Sequence, residues 1–409
     1  MTQFGISRSP QIVLFGSGQR HALPELIKNI GKRVFICTDN RFLVDPLLSK
    51  IASDLRDAGC SVEIYDETIA ELPMSCIDAA TTKAKKFNPA IIVGVGGGSC
   101  MDIAKLVSLS LSYLGPLSEY YGEFKVPGEI IPVVAITTTA GTGSEVTPVA
   151  VLDDPSRLTK VGISSPYLIP KIAICDPELT LSCPPKLTAI AGADAITHAI
   201  EAFTAIRKPY TPQLAMQQVF VGKNIFSDMH SRIAISSLAK NLHKAVNDSK
   251  DLDARSEVML GSMSAGIAFG VAGTAAAHAI QYPIGAMTHT SHGLGVAAIL
   301  PYVMEFNLPK CVPEFCEIAS LFGGQRGDKS DLHFASSAID YVDALFTSIG
   351  IPKTIQELGV TIDTLDLIGE QSMSAARLIN NNPRLLDRSA VDAIIRAAFI
   401  GSREQLRGI

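Results

Sequence analysis

The stretch Ala90-Ile-Ile-Val-Gly-Val-Gly-Gly-Gly-Ser-Cys-Met-Asp-Ile-Ala-Lys105 merges an apolar run with four glycines in five residues and then opens into a helical pattern. A short apolar run bounded by glycine reads as a buried strand, here Ala90 to Val95. Working outward, Arg33 to Thr38, Ser61 to Tyr65 and Ile131 to Ile136 have the same character, and Asp45 to Ala58 and Ser75 to Phe87 read as helices between them. Strand, helix, strand in that order predicts parallel crossovers and a sheet covered on both faces. On such sheets ligands bind beyond the carboxyl ends of the strands.

The glycines in the opening stretch let the backbone approach a ligand closely, and the free amides at the start of the following helix attract a pyrophosphate. A dinucleotide is the natural guest. A second loop, Thr137-Thr-Thr-Ala-Gly-Thr-Gly-Ser-Glu145, also follows a strand and is rich in hydroxyls and glycines, groups suited to phosphate, ribose or amide contacts. Asp39, just past the strand ending at Thr38, is placed to accept hydrogen bonds from an adenosine ribose and to repel a 2′-phosphate, which favours NAD over NADP. Its plainer reading is a turn aspartate before Asn40. Gly16-Ser-Gly18 only echoes a dinucleotide fingerprint, because His21 stands where the third glycine belongs.

From about Leu187 the pattern turns helical. Ala189, Ala193, Ile196, Ile200 and Phe203 recur at helical spacing, and helices are expected over Pro212 to Phe226, Ile233 to Val246, Ala254 to Phe269, Val296 to Phe306, Ser336 to Ser348 and Val391 to Ile400. Pro184-Pro185 marks the boundary, since two prolines continue neither a strand nor a helix interior. Residues 1–186 are therefore expected to form an α/β domain and residues 187–409 an all-α domain. The uncharged run from Val258 to Ala277 approaches membrane-spanning length. Its Ala, Gly, Ser and Met content suits a buried core helix instead.

The helical half carries metal-ligand chemistry. Asp194 and His198 are four residues apart, so a helix projects them side by side, and the segment from His278 to Gly293 adds His278, His289 and His292. One carboxylate and up to three imidazoles leave coordination positions open, as in a catalytic rather than a structural site. His21, His230, His243 and His333 sit in unremarkable sequence surroundings.

Composition bounds the alternatives. At 409 residues, with 47% apolar and 18% charged residues, the chain has material for two or three domains with extensive core. A net charge of -5 without a basic run draws it neither to nucleic acid nor to an anionic membrane. Eight scattered cysteines, without a C-x-x-C pair or a signal-peptide pattern, lead us to expect reduced thiols in a cytoplasmic protein.

Taken together, Gly96-Gly-Gly-Ser99 with Asp102, Thr137 to Glu145, Asp176-Pro-Glu-Leu-Thr180, Asp194 to Phe203 and His278 to Pro301 resemble the iron-containing (group III) alcohol dehydrogenase family, in the family's order. The resemblance implies an N-terminal Rossmann-like NAD domain, a C-terminal helical metal-binding domain and an active site in the cleft between them. It implies metal ligation by Asp194, His198, His278 and His292, with Fe(II) expected and Zn(II) acceptable to the same donors. All four positions are filled, against the metal-free maleylacetate reductase branch. The implied NAD contacts are Asp39, Gly96, Gly97, Gly98, Ser99, Asp102, Thr138, Thr139, Lys160 and Leu179. Homodimers or larger homo-oligomers are common among such relatives.

One departure affects the chemistry. Tyr282 stands where well-studied members place a second histidine near the nicotinamide, and an unperturbed tyrosine pKa of about 10 makes a poorer relay at neutral pH. The Tyr282-Pro283 pair also resembles the hydroxyacid-oxoacid transhydrogenase branch. The expectation is a metal- and NAD(H)-dependent oxidoreductase interconverting a small alcohol and its aldehyde or ketone. In it the metal acts as Lewis acid, hydride passes to or from nicotinamide C4, and Tyr282 or His289 relays the proton. The alternatives are a transhydrogenase with retained cofactor, or a catalytically silent nucleotide- or metal-binding protein.

Overall fold

Val34 and Ile36 face one hydrophobic cluster and Phe35 and Cys37 the opposite one, so the first long strand alternates between two buried sides. The computed structural model describes residues 4–157 and 160–408. They fall into two units, the first holding 8–183 and 213–219 and the second the remaining described residues.

The first unit contains strands β1 (Ile12–Phe15), β2 (Arg33–Cys37), β3 (Ser61–Tyr65), β4 (Ile91–Gly96), β5 (Gly122–Glu123), β6 (Val133–Thr137), β7 (Val149–Leu152), β8 (Val161–Ser164) and β9 (Ile172–Cys175). Six form one all-parallel sheet in the order β1-β9-β6-β4-β2-β3, and β5-β8-β7 form a small mixed sheet. The unit's helices are α1 (Leu23–Ile27), α2 (Asn40–Leu43), α3 (Pro46–Asp57), α4 (Met74–Phe87) and α5 (Gly98–Ser112), with the short α7 (Leu214–Gln217) returning from later in the chain.

The four strands and two helices expected from sequence all form. Strands β1 and β9 were not anticipated; their four-residue runs are too short to stand out by periodicity, yet β9 is buried throughout and pairs with both β1 and β6.

Helix α3 buries Leu48, Ile51 and Leu55 against the Val34 side of the sheet, whereas α4 and α5 bury Ile77, Ala80, Leu106 and Val107 on the Phe35 side. Each leucine, isoleucine or valine among them contributes roughly 1.5–3 kcal/mol. Since β2 leads into a helix on one face and its neighbour β4 into a helix on the other, their carboxyl ends form a topological switch point, the place where open α/β sheets bind ligands.

The second unit is helical: α6 (Pro185–Thr204), α8 (Ile225–Asn247), α9 (Leu252–Ala272), α10 (Ala276–Thr288), α11 (His292–Asn307), α12 (Val312–Leu321), α13 (Asp331–Ser348), α14 (Leu365–Met373), α15 (Ala376–Ile379) and α16 (Arg388–Ile400). Pro185 opens α6 at its first position, where a missing N–H costs nothing. Helix α6 packs against α8, α9 and α11, and α10 packs against α11 and α14.

Two expectations need correction. Residues 212–226 do not form one helix: α7 ends at Gln217, and α8 starts after Asn224, whose side chain caps it by accepting from the amides of Phe226 and Ser227. The apolar run from Val258 to Ala277 is buried but broken, because Gly273 takes φ 81° and the chain turns 102° between α9 and α10. Among the described residues no single helix is long and apolar enough to cross a membrane.

Candidate active site

Three helices deliver the polar cluster at the heart of the second unit. Asp194 and His198 stand one turn apart on α6, His278 lies in the first turn of α10, and His292 is the first residue of α11. Nε2 of His198, His278 and His292 lie 3.7, 3.9 and 3.9 Å from the same Oδ1 of Asp194. One ligand atom from each of the four residues falls within 4.8 Å of all the others. Asp194, His198 and His278 are buried, while His292 keeps 27% of its side chain exposed, so the cluster is wettest on that side.

The far sides of two imidazoles are held. Nδ1 of His278 lies 2.6 Å from Oε2 of Glu201, a buried carboxylate that also accepts from the backbone amides of Ala275 (2.9 Å) and Ala277 (2.7 Å). Glu201, on α6, therefore caps the start of α10 and keeps the His278 proton on Nδ1, leaving the Nε2 lone pair aimed at Asp194. That Nε2 is buried and makes no hydrogen bond. Nδ1 of His292 meets Oε1 of Gln281 at 2.8 Å, which fixes its tautomer in the same way. A buried imidazole nitrogen with its lone pair turned toward a carboxylate fits a divalent cation, and the donor set of one carboxylate and three imidazoles accepts Fe(II) or Zn(II).

Packing sets the spacing. A Cβ on Gly293 would lie 2.7 Å from the Ile190 carbonyl and 3.1 Å from Cβ of Asp194, so only glycine lets α11 approach α6 this closely. The Phe269 ring stacks on His198 at 4.2 Å. Tyr282, one turn past His278, sets its half-buried ring 6.2 Å from that of His292, and burial raises its pKa above the usual tyrosine value. His289 is exposed, ends α10 with φ 55°, and does not join the four-residue cluster.

The other expected residues belong to the first unit, most of them following strands of the parallel sheet and Lys160 preceding β8 of the small sheet. Gly96 ends β4 with φ 149°, Gly97 precedes α5, and Gly98 and Ser99 open that helix. No side chain caps this N-terminus, and Gly97, Gly98 and Ser99 are partly exposed, so the start of the helix is left without a side-chain partner at the switch point. Thr138 and Thr139 follow β6; the Thr138 amide donates to the Gly96 carbonyl at 2.9 Å, and a Cβ on Gly97 would touch the Thr139 methyl at 3.2 Å.

Asp39 follows β2. One of its oxygens caps α2 by accepting from the Phe42 amide at 2.8 Å, and the other lies 3.6 Å from Sγ of Cys100. Both oxygens of Asp102 are engaged, by the Ser144 hydroxyl and the Val151 amide. Lys160 pairs with Glu71. Leu179, in the turn after β9, is wholly buried in the sheet core.

Sequence reasoning passed over Gln281, Lys105 and the buried environment of Glu145. The signal for Lys105 was a lone cation within the apolar stretch of α5. Gln281 had only its glycine neighbours: Cβ atoms on Gly285 and Gly295 would each lie 2.6 Å from its side chain.

Residues 10–177 match the iron-containing alcohol dehydrogenase profile, and residues 219–399 match the C-terminal domain of the same family. The chain belongs to the iron-containing alcohol dehydrogenase family. It is 32% identical to long-chain-alcohol dehydrogenase 1 of Geobacillus thermodenitrificans, over 96% of each chain. It is 31% identical to the NAD-dependent methanol dehydrogenase of Bacillus methanolicus, over 98% of this chain and all of that one. Among solved structures, a 1,3-propanediol oxidoreductase superposes with a TM-score of 0.90 at 30% identity, covering 97% of this chain and 100% of its own. The chain is thus an oxidoreductase of the iron-containing alcohol dehydrogenase type, a family that uses NAD and a divalent metal on alcohol and aldehyde substrates.

Proposed function

We propose that this enzyme reduces a small aldehyde or ketone with NADH, or oxidises the matching alcohol, with a divalent metal held by Asp194, His198, His278 and His292. The observation that carries the reading is the convergence of three imidazole Nε2 atoms on one carboxylate oxygen, two of them with tautomers set from behind. When bound, the metal supplies Lewis-acid polarisation of the carbonyl oxygen and NADH supplies the hydride. Fe(II) is the metal we assign, in keeping with the family, and Zn(II) suits the same donors.

The chain's own residues do the rest. Glu201 and Gln281 keep protons off the metal-facing nitrogens. Tyr282 keeps its phenolic proton at neutral pH, as an ordinary tyrosine does and the more firmly because burial raises its pKa, and is the group we assign to proton donation. His289, exposed at the end of α10, is assigned exchange with solvent. For the cofactor, Gly96, Gly97, Gly98 and Ser99 would receive the pyrophosphate on the amides of α5. Asp39 would take the ribose, and Asp102, Thr138, Thr139, Lys160 and Leu179 would line or support the remainder. On this reading residues 1–186 serve NAD and residues 187–409 the metal. The enzyme works in a reducing cytoplasm as a homodimer or larger assembly, with its eight free thiols, six of them buried, in keeping with that compartment.

The test is NADH oxidation against a panel of small aldehydes and oxoacids, with protein stripped of metal and reloaded with Fe(II) or Zn(II). Metal-dependent NADH loss is expected. Tyr282-Pro283 supports one second reading, the hydroxyacid-oxoacid transhydrogenase. It predicts instead NAD that copurifies without exchanging against free NAD, and no net NADH loss with any single substrate.

A further inference from the structure

Lys105 is a cation with no access to solvent. It lies inside α5 at 0% exposure, and its ammonium donates to Oγ of Ser144 (2.8 Å), the carbonyl of Val149 (2.8 Å), the carbonyl of Thr147 (3.2 Å) and the hydroxyl of Thr147 (3.4 Å). Three protons are thus shared among four acceptors, one from Ser144 near the end of the hydroxyl-rich loop of Thr137 to Glu145 and three from Thr147 and Val149, which follow it. Asp102, one turn earlier on α5, closes the arrangement. It accepts from the Ser144 hydroxyl and the Val151 amide and lies 3.7 Å from the ammonium.

The other end of the same loop rests on the glycine turn. A Cβ on Gly98 would lie 2.7 Å from the Thr142 methyl, and one on Gly97 would lie 3.2 Å from that of Thr139. The loop is therefore pinned at its base by Lys105 and seated at its tip on the first residues of α5.

A buried charge is costly to desolvate, and an apolar side chain of similar length would avoid that cost. What the apolar side chain would not do is tie Ser144, at the end of that loop, to Thr147 and Val149, which lead it into β7, in one geometry.

We infer that Lys105 is a positioning residue for the cofactor: it locks the Thr137–Glu145 loop onto the helix whose N-terminus receives the pyrophosphate, so that both loops meet the dinucleotide as one preformed surface. This rests on the proposed placement of NAD at the start of α5. Preorganisation of this kind acts on affinity, because a loop already ordered loses no entropy on binding. The charged groups facing the ammonium are the carboxyls of Asp102, on α5, and Glu145, in the turn after β6; Ser144, Thr147 and Val149 are neutral, and the Cys175 thiol at the end of β9, beside Glu145, is kept neutral by burial. Burial lowers the Lys105 pKa to about 8, so the ammonium begins to lose a proton within the stable pH range of most proteins.

The experiment measures NADH binding by fluorescence, together with KM for NADH and kcat, in the metal-loaded enzyme and in Lys105→Met, Ser144→Ala and Ser99→Glu. Ser99→Glu places a negative charge at the start of α5 and tests where NAD binds. The expected result is loss of NADH binding in Ser99→Glu and a rise of about tenfold in the dissociation constant and KM in Lys105→Met, with a smaller fall in kcat. Ser144→Ala, which leaves the lysine in place, should show the same split to a lesser degree, and it carries the test if Lys105→Met fails to fold. NADH affinity of the native enzyme should weaken above about pH 8, a change absent in Lys105→Met. Normal NADH affinity in folded Lys105→Met, alongside its loss in Ser99→Glu, would overturn the positioning role alone. Unchanged binding in Ser99→Glu would overturn the cofactor placement, and the positioning role with it.

Discussion

Oε2 of Glu201 lies 2.6 Å from Nδ1 of His278, and the same carboxylate accepts the amides of Ala275 and Ala277 at the start of α10. One side chain on α6 thus sets both where α10 begins and which nitrogen of its first-turn histidine faces Asp194. Glu201→Gln should keep the cap in part but weaken the hold on the Nδ1 proton, lowering metal affinity by about 10- to 100-fold. Glu201→Ala should add a stability loss of about 1–3 kcal/mol, because two buried amides lose their acceptor. Metal titration against a competing chelator and thermal melts of the metal-free protein separate the two effects.

Gly293 makes a similar case through sterics alone. Its Cβ would strike the Ile190 carbonyl at 2.7 Å, so Gly293→Val must move α11 and His292 away from Asp194. Metal content after dialysis should fall, at a stability cost of about 1–3 kcal/mol from overpacking. Full metal occupancy in the variant would show that the close approach of α6 and α11 is unnecessary.

Tyr282→Phe should lower kcat by about 100-fold, the lower end of what general acid catalysis contributes, while leaving metal content unchanged. Tyr282→His should recover part of that rate and introduce a new pH dependence near neutrality, because imidazole titrates at about 6.5. If Tyr282→Phe retains full kcat, proton donation lies elsewhere. His289→Ala should lower kcat much less than Tyr282→Phe, since that ring is exposed and outside the cluster and water can replace it in the exchange with solvent.

Burial raises the Glu145 pKa from its ordinary 4.5 to about 7. Between those values the folded chain binds more protons at this position than the unfolded chain, so stability from this group is complete below about pH 4.5 and declines as pH rises through 7. Glu145→Gln removes the dependence and should raise stability at pH 8 by up to about 3 kcal/mol. Denaturation midpoints of both proteins from pH 4.5 to 8 check it: the difference should grow with pH and then level off.

Much of this was legible in the chain. The strands at Arg33, Ala90 and Ile131 were readable because a sheet covered on both faces demands nearly unbroken apolar runs, and the edge strand at Ser61 because its apolar residues alternate with Ser61 and Glu63. The pairing of Asp194 with His198 was readable because helical spacing is local. Residues 212–226 misled because their apolar positions mimic a helix, whereas the asparagine cap at Asn224 starts the real one later. The break at Gly273 was hidden in a run whose composition suits helix on either side.

By itself the sequence determined the donor types, the glycine turn after a buried strand and the division between an α/β part and a helical part, all consequences of short-range periodicity and of residue chemistry. Only the tertiary structure decided the position of β9 between β1 and β6 and brought His278 and His292, but not His289, to Asp194. It also put Glu201 and Gln281 behind two of those imidazoles and enclosed Lys105 beneath the second loop. These outcomes depend on how closely helices and loops distant in sequence approach one another, and that approach is set by packing at positions such as Gly293 and Gly98, whose effect appears only when the opposing backbone or side chain is in place.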